Sequence, residues 1–247
     1  MNSVLLVTGG SRGIGAATAA LAALRGFDVV VNYREDERAA SAIVEAARAT
    51  GVRALAIKAD IALEAEVVRM FEAVDTFGPL AALVNNAGIT GGFARVADLK
   101  APALERMLAV NVTGAILCAR EAVRRLSTVW GGNGGSIVNV SSLAARLGGA
   151  GEWVHYAASK GAIQSFTIGL AREVAGEGVR VNAVAAGIVD TEMHFAAGDP
   201  HRAKRTGATV PIGRAATAHE IAETILWLTS PAASYVTGTI LEAGGGR

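Results

Sequence analysis

"VLLVTGGSRGIG", residues 4–15, decides the fold. Its first four residues are continuously apolar rather than alternating. That pattern belongs to a strand buried on both faces, as strands of a parallel sheet are. Among the glycines that follow, Gly9, Gly13 and Gly15 stand in the spacing G-x-x-x-G-x-G. A helical pattern then runs over about 14–25. Glycines between a buried strand and a helix allow a tight turn, and they let a pyrophosphate approach backbone N–H groups at the helix N-terminus. The same glycines would also serve a turn with no ligand. The spacing differs from the dinucleotide fingerprint G-x-G-x-x-G, although the physics is shared.

The pattern repeats outward from this unit. Further apolar runs stand at 28–33, 52–57, 80–84, 136–140, 179–184 and 235–241. Candidate helices lie between them near 36–49, 63–77, 101–128, 155–176 and 217–229. This alternation predicts an α/β fold, a parallel sheet of about seven strands with helices on both faces. No composition shift or internal repeat divides the chain, so residues 1–247 are expected to form a single domain. The longest stretch without periodicity, about 187–213, follows a strand and has the character of a binding loop.

Composition narrows the function. Half the residues are hydrophobic (51%) and the formal net charge is +1. That charge gives no argument for nucleic acid, and the basic runs Arg124-Arg125 and His201-Arg202 with Lys204-Arg205 read as solvated faces. Cys118 is the only cysteine, best read as a small buried hydrophobe. The histidines His155, His194, His201 and His219 are scattered without ligand spacing, so no metal site is expected. The start "MNSVLLVTGG" lacks the basic region of a signal peptide, and no apolar run approaches a membrane span. A soluble, cytoplasmic protein without a membrane partner is expected.

Several positions can carry chemistry. The second strand ends Asn32-Tyr33-Arg34, before Glu35 and Asp36. An arginine there suits a ribose 2′-phosphate, with Arg12 a second candidate, which favours NADP over NAD. Asp60 ends the third strand, to accept from adenine or to cap a helix. "NNAG" (85–88) follows the fourth. Asn111 interrupts an apolar helical stretch, where a buried amide needs partners. "VSS" (140–142) sets two hydroxyls at a strand's end. In "YAASK" Tyr156 and Lys160 are four apart, on one helix face, and a cation beside a phenol lowers its pKa.

Taken in order, "TGGSRGIG", "NNAG", Asn111, "SS" before "YAASK", and "VNAVAAGIVDT" resemble the short-chain dehydrogenase/reductase family in its compact form, from about Val4 to Gly245. The resemblance implies a doubly wound, Rossmann-like sheet and an NADP(H)-dependent oxidoreductase that interconverts a carbonyl and a secondary alcohol. It implies Tyr156 as acid/base, Lys160 tuning it and binding the nicotinamide ribose, Ser142 on the substrate oxygen (Ser141 the lesser candidate), and Asn111 holding a water in a proton relay. Cofactor contacts would come from Gly9, Ser11, Arg12, Gly13, Ile14, Gly15, Tyr33, Arg34, Asp60, Ile61, Asn86, Ala87, Gly88, Tyr156, Lys160, Gly187, Val189 and Thr191. A homotetramer is also implied, paired through the long helices. A glucose-like sugar dehydrogenase and a catalytically silent NADP-binding sensor are the alternatives.

Two departures stand out. Ala186-Gly187 replaces the family's Pro-Gly, which is expected to loosen the start of the 187–213 segment. Ser142 lies fourteen positions before Tyr156 rather than thirteen, which implies an extra residue in "RLGGAGEWVH" and places Trp153 and His155 near the substrate mouth.

Overall fold

A computed structural model of the chain describes residues 3–193 and 198–247. His194 and the rest of 194–197, within the 187–213 segment, lie outside the described residues, as do Met1 and Asn2.

Seven parallel strands form one sheet in the order β3-β2-β1-β4-β5-β6-β7. The strands are β1 (Val4–Val7), β2 (Asp28–Tyr33), β3 (Ala54–Lys58), β4 (Leu80–Asn85), β5 (Gly135–Ser142), β6 (Val179–Ala186) and β7 (Ile240–Ala243). The helices are α1 (Gly13–Leu24), α2 (Glu37–Arg48), α3 (Glu64–Phe77), α4 (Ala101–Leu108), α5 (Ala115–Leu126), α6 (Ala144–Leu147), α7 (Val154–Val174), α8 (Arg202–Gly207) and α9 (Ala218–Thr229). A π-helical segment, Ala109–Gly114, joins α4 to α5.

Residue alternation along each strand divides the core in two. Leu5, Val7, Val29, Val31, Val84 and Val138 face α1, α2 and α9. Val4, Leu6, Val30, Leu83 and Ile137 face α3, α5 and α7. Because both faces are covered, the strands are apolar throughout, which is why they read as continuous runs. The winding direction reverses at β1, which pairs β2 on one side and β4 on the other. Ligand crevices of open α/β sheets form beyond the strand C-termini at such a switch point.

Three expectations change. The last strand begins at Ile240, not near 235. Gly238 takes the left-handed conformation (φ +77°), and its N–H donates to Val181 O, so the preceding apolar residues belong to a turn stitched onto β6. Next, Ala101–Leu126 is one helical run of 26 residues, apolar and long enough by itself to cross a bilayer. Here Cys118, Ala119, Ala122 and Leu126 enter the core beside the sheet. Finally, Arg124 and Arg125 are not a free solvated pair. Together with Arg120 they surround the buried Glu121 carboxylate at 2.9 Å. Burial pushes that carboxyl's pKa up, but its bonds to Arg125 and Arg120 and the charge of Arg124 outweigh burial and leave it lowered.

Candidate active site

Strand C-termini and loops enclose a cleft of about 710 Å³. It is lined by all the residues named from the sequence as cofactor contacts except Gly15.

Its floor is the glycine turn after β1, and the turn is held from "NNAG". Thr8 Oγ1 accepts from the N–H groups of Asn86 (3.0 Å) and Ala87 (3.1 Å). Asn86 Nδ2 donates back to Thr8 O (3.0 Å) and Gly9 O (2.9 Å). From β2, Asn32 Oδ1 accepts from Gly9 N at 3.2 Å, a support that the sequence reading did not assign. Gly9 has φ +59°, and a Cβ there would stand 2.9 Å from Ala87 Cα. A Cβ on Gly15 would stand 2.4 Å from Asn86 Nδ2. The backbones therefore close on each other as only glycine permits. Arg12 is the N-cap of α1 and gives no side-chain cap, so the first-turn N–H groups keep their capacity to bind an anion. Gly9→Ala is expected to lower the melting temperature and to abolish measurable dinucleotide binding, read by thermal unfolding with and without cofactor.

At the β2 end both acids are engaged. Asp36 caps α2 by accepting from Ala39 N (2.9 Å), and Glu35 pairs with Arg34. Arg12 is exposed and forms no ion pair among the described residues. Asp60 lines the cleft, accepts from Ala62 N (3.0 Å) and pairs with Arg106 (2.8 Å); it does not cap α3, whose N-cap is Leu63.

The other end of the cleft is assembled from β5, α7 and the segment after β6. Tyr156 is buried, with the Ser142 hydroxyl near enough to its phenol to oppose the upward shift of its pKa. The Lys160 ammonium lies 5.7 Å from the Tyr156 ring centroid and donates to Val140 O at 2.7 Å. Ser141 is turned away, donating to Lys160 O (3.1 Å). The one-residue excess between Ser142 and Tyr156 is absorbed by α6 and a turn with three left-handed glycines, Gly148, Gly149 and Gly151.

The titration of the pair differs from the expectation that the cation lowers the phenol's pKa. Burial pushes Tyr156 up to about 12, against the pull of the Ser142 hydroxyl and the Arg202 charge. Burial pushes Lys160 down to about 8. In a site this dry, desolvation exceeds the mutual effect of the two groups.

Asn111 does not line the cleft. It lies in the π-helical segment, its Oδ1 accepting from Ile89 N (2.8 Å) and its Nδ2 donating to Ile89 O (2.8 Å) and Ser159 Oγ (3.1 Å). Ser159 Oγ in turn donates to Tyr156 O (2.7 Å).

The start of the 187–213 segment, after Ala186, is tied to its neighbours by backbone hydrogen bonds. Gly187 N donates to Ala243 O (2.9 Å), and Asp190 N and Ala216 N exchange bonds with Ala216 O and Ile188 O (2.9 Å each). These bonds fix Val189 and Thr191 at the cleft.

Trp153 lines the cleft, stacked on Phe93 at 4.7 Å and edge-on to Tyr156 at 5.8 Å. His155 does not line it, but packs beside Gly91 and Met107. Arg202, read from the sequence as solvated, is buried and lies 4.4 Å over the Trp153 ring. No periodicity marked α8, so nothing in the sequence signalled that arginine.

A doubly wound sheet whose switch point opens on a glycine turn, with a buried phenol and amine in the same crevice, defines an oxidoreductase architecture. Residues 9–247 match the family model described as enoyl-(acyl carrier protein) reductase. An uncharacterized oxidoreductase, YgfF, of Escherichia coli is 50% identical over 99% of this chain and 100% of its own length. The cis-4-hydroxycyclohexanecarboxylate dehydrogenase of Sinomonas cyclohexanicum is 40% identical over 98% of this chain and 95% of its own. The short chain dehydrogenase of Burkholderia cenocepacia, solved in complex with NADP, is 35% identical with a TM-score of 0.91, covering 99% and 97% of the two chains. The chain belongs to the short-chain dehydrogenase/reductase family, enzymes that act on CH–OH groups.

Proposed function

We propose that the protein, as one unit of residues 1–247, interconverts a small-molecule ketone and the corresponding secondary alcohol with NADP(H). The observation that carries this reading is the convergence of Tyr156, Ser142 and Lys160 in the cleft that the glycine turn closes. The bound nicotinamide supplies or removes the hydride. In reduction, Tyr156 gives its phenolic proton to the substrate oxygen, and solvent replaces that proton after turnover. Ser142 hydrogen-bonds the same oxygen as negative charge develops. Lys160, held by Val140 O, would bind the nicotinamide ribose. Asn111 continues the relay through a water; its Oδ1 and Lys160 Nζ both approach Gly88, lying 3.3 Å and 3.4 Å from where a Cβ on that glycine would stand.

The Burkholderia relative's NADP and the occupied acids beside Tyr33 support the phosphorylated cofactor. Arg12 and Arg34 are the proposed 2′-phosphate contacts. The double change Arg12→Ala with Arg34→Ala is expected to raise the KM for NADPH about 10- to 100-fold, the scale of one or two charged hydrogen bonds, and to leave that for NADH unchanged. Equal effects on both would remove the preference for NADP.

The Sinomonas relative, named for a ring-borne hydroxy acid, supports a secondary alcohol as substrate. Half-exposed Leu108, Ile116, Val154 and Ile168 on α4, α5 and α7 support pairing of the long helices in a homotetramer. The proposed compartment is the cytoplasm. A panel of ketones, secondary alcohols and sugars, followed by nicotinamide absorbance with NADPH and NADH, tests the whole reading. Cofactor binding without turnover of any of them would leave a sensor instead.

A further inference from the structure

Arg202 sits on the substrate side of the cleft, and its charge is incompletely satisfied. The residue is 8% exposed. Among the described residues its Nη2 donates to Glu152 Oε2 at 2.5 Å, while Nε, out of reach of solvent, meets no acceptor. A guanidinium carries five donors in a rigid fork, and a buried cation is costly unless its donors are matched. Glu152 is a poor permanent partner, since its side chain is half exposed and makes one bond. The Asp199 carboxylate also feels the Arg202 charge, whereas Glu192, which lines the cleft as Arg247 does, holds its Oε2 toward Gly13 of the glycine turn. One indole touches both groups: the Arg202 guanidinium lies 4.4 Å over the Trp153 ring, and Trp153 is edge-on to Tyr156 at 5.8 Å. The cleft thus offers an acid/base and an arginine fork that share one aromatic neighbour.

We propose that Arg202 is the anchor for a substrate carboxylate, so that the substrate is a keto or hydroxy acid. The carbonyl part rests on the oxidoreductase reading above, and the carboxylate part on the geometry of Arg202 alone. Planar, bidentate pairing with carboxylate is what a guanidinium provides and an ammonium does not. Glu152 holds the fork until the substrate displaces it.

Two measurements test this. In the first, cyclohexanecarboxylate and cyclohexanemethanol are titrated calorimetrically into the protein saturated with NADP. The carboxylate is expected to bind at least about tenfold more tightly, the scale of one charged hydrogen bond. Arg202→Met is expected to abolish that preference, Arg202→Lys to keep a small part of it, and Glu152→Gln to tighten carboxylate binding. In the second, 4-oxocyclohexanecarboxylate and its methyl ester are compared with NADPH. The acid is expected to have the lower KM at similar kcat. Equal binding of acid and alcohol, or a KM for the ester no higher than for the acid, overturns the proposal while leaving the oxidoreductase reading intact. Carboxylate binding through Arg202 with neither ketone reduced does the reverse. Should Arg202→Met fail to fold, the wild-type acid-to-ester comparison and Glu152→Gln decide.

Discussion

Tyr156→Phe is expected to lower turnover by about 10²- to 10⁴-fold, the usual contribution of one general acid/base, while the affinity for NADP stays within about twofold. Only the hydroxyl is lost. The ring keeps its edge contact with Trp153 and its place 5.7 Å from the Lys160 ammonium, so the cofactor side of the cleft is unchanged. The direction of reaction sharpens the test. With its pKa pushed up to about 12, the phenol of the free protein stays protonated throughout the neutral range. It is then a ready donor to a carbonyl oxygen, but must first lose its own proton to act as a base. Reduction is therefore expected to be nearly independent of pH from 6 to 8, whereas oxidation accelerates as pH rises. Steady-state rates in both directions, beside a cofactor titration, give the answer. Near-normal turnover by the phenylalanine variant would end the assignment of Tyr156.

The parts of this arrangement that were legible in the sequence are those fixed by local pattern. Buried strands such as Val29–Val31 announce themselves because both faces are covered. Glycines announce the turn at Gly9 because no other residue fits at 2.9 Å from Ala87. The four-residue spacing of Tyr156 and Lys160 is a helix property. What stayed hidden depends on contacts between distant segments. Arg202 follows α7 by almost thirty residues and lies in a stretch without periodicity, so its seat on Trp153 has no local signature. Asn32 reads as one more strand residue, yet it bonds Gly9 N and, through Nδ2, Ala59 O at 2.9 Å. The titration of Tyr156 was misjudged for the same reason: spacing reveals a neighbouring charge, but not the depth of burial that outweighs it. Family resemblance supplied the roles of Ser142 and Asn111, which no pattern in the chain could assign.

Lys160→Met is expected to abolish most turnover and at the same time to stabilise the fold. The native amine is wholly buried, and burial pushes it down to about 8 from the ordinary lysine value. At pH 7 it still carries its charge, so folding has to desolvate an ammonium whose hydrogen bond goes to the Val140 carbonyl. A pKa displacement of this size corresponds to roughly 3 kcal/mol. Methionine fills a similar volume without that cost. The orphaned carbonyl gives back about 1 kcal/mol, and the remainder is a rise of several degrees in Tm for a chain of this length. The sign of the pH dependence separates this cause from better packing. Above about pH 8 the native amine has lost its proton, whereas the unfolded chain keeps it to about pH 10.5; the unfolded state binds more protons, and wild-type stability rises with pH. Below pH 8 both states are charged and the full penalty applies. The variant's advantage should therefore be greatest at pH 7 and shrink steadily to pH 10.5, as other titrating groups cancel in the difference. Denaturant unfolding of both proteins at intervals across that range measures it. A gap that does not change with pH would mean that Lys160 is not held charged against its surroundings. A less stable variant would mean that the ammonium contributes to the fold, and that evolution has not traded stability for the chemistry of this site.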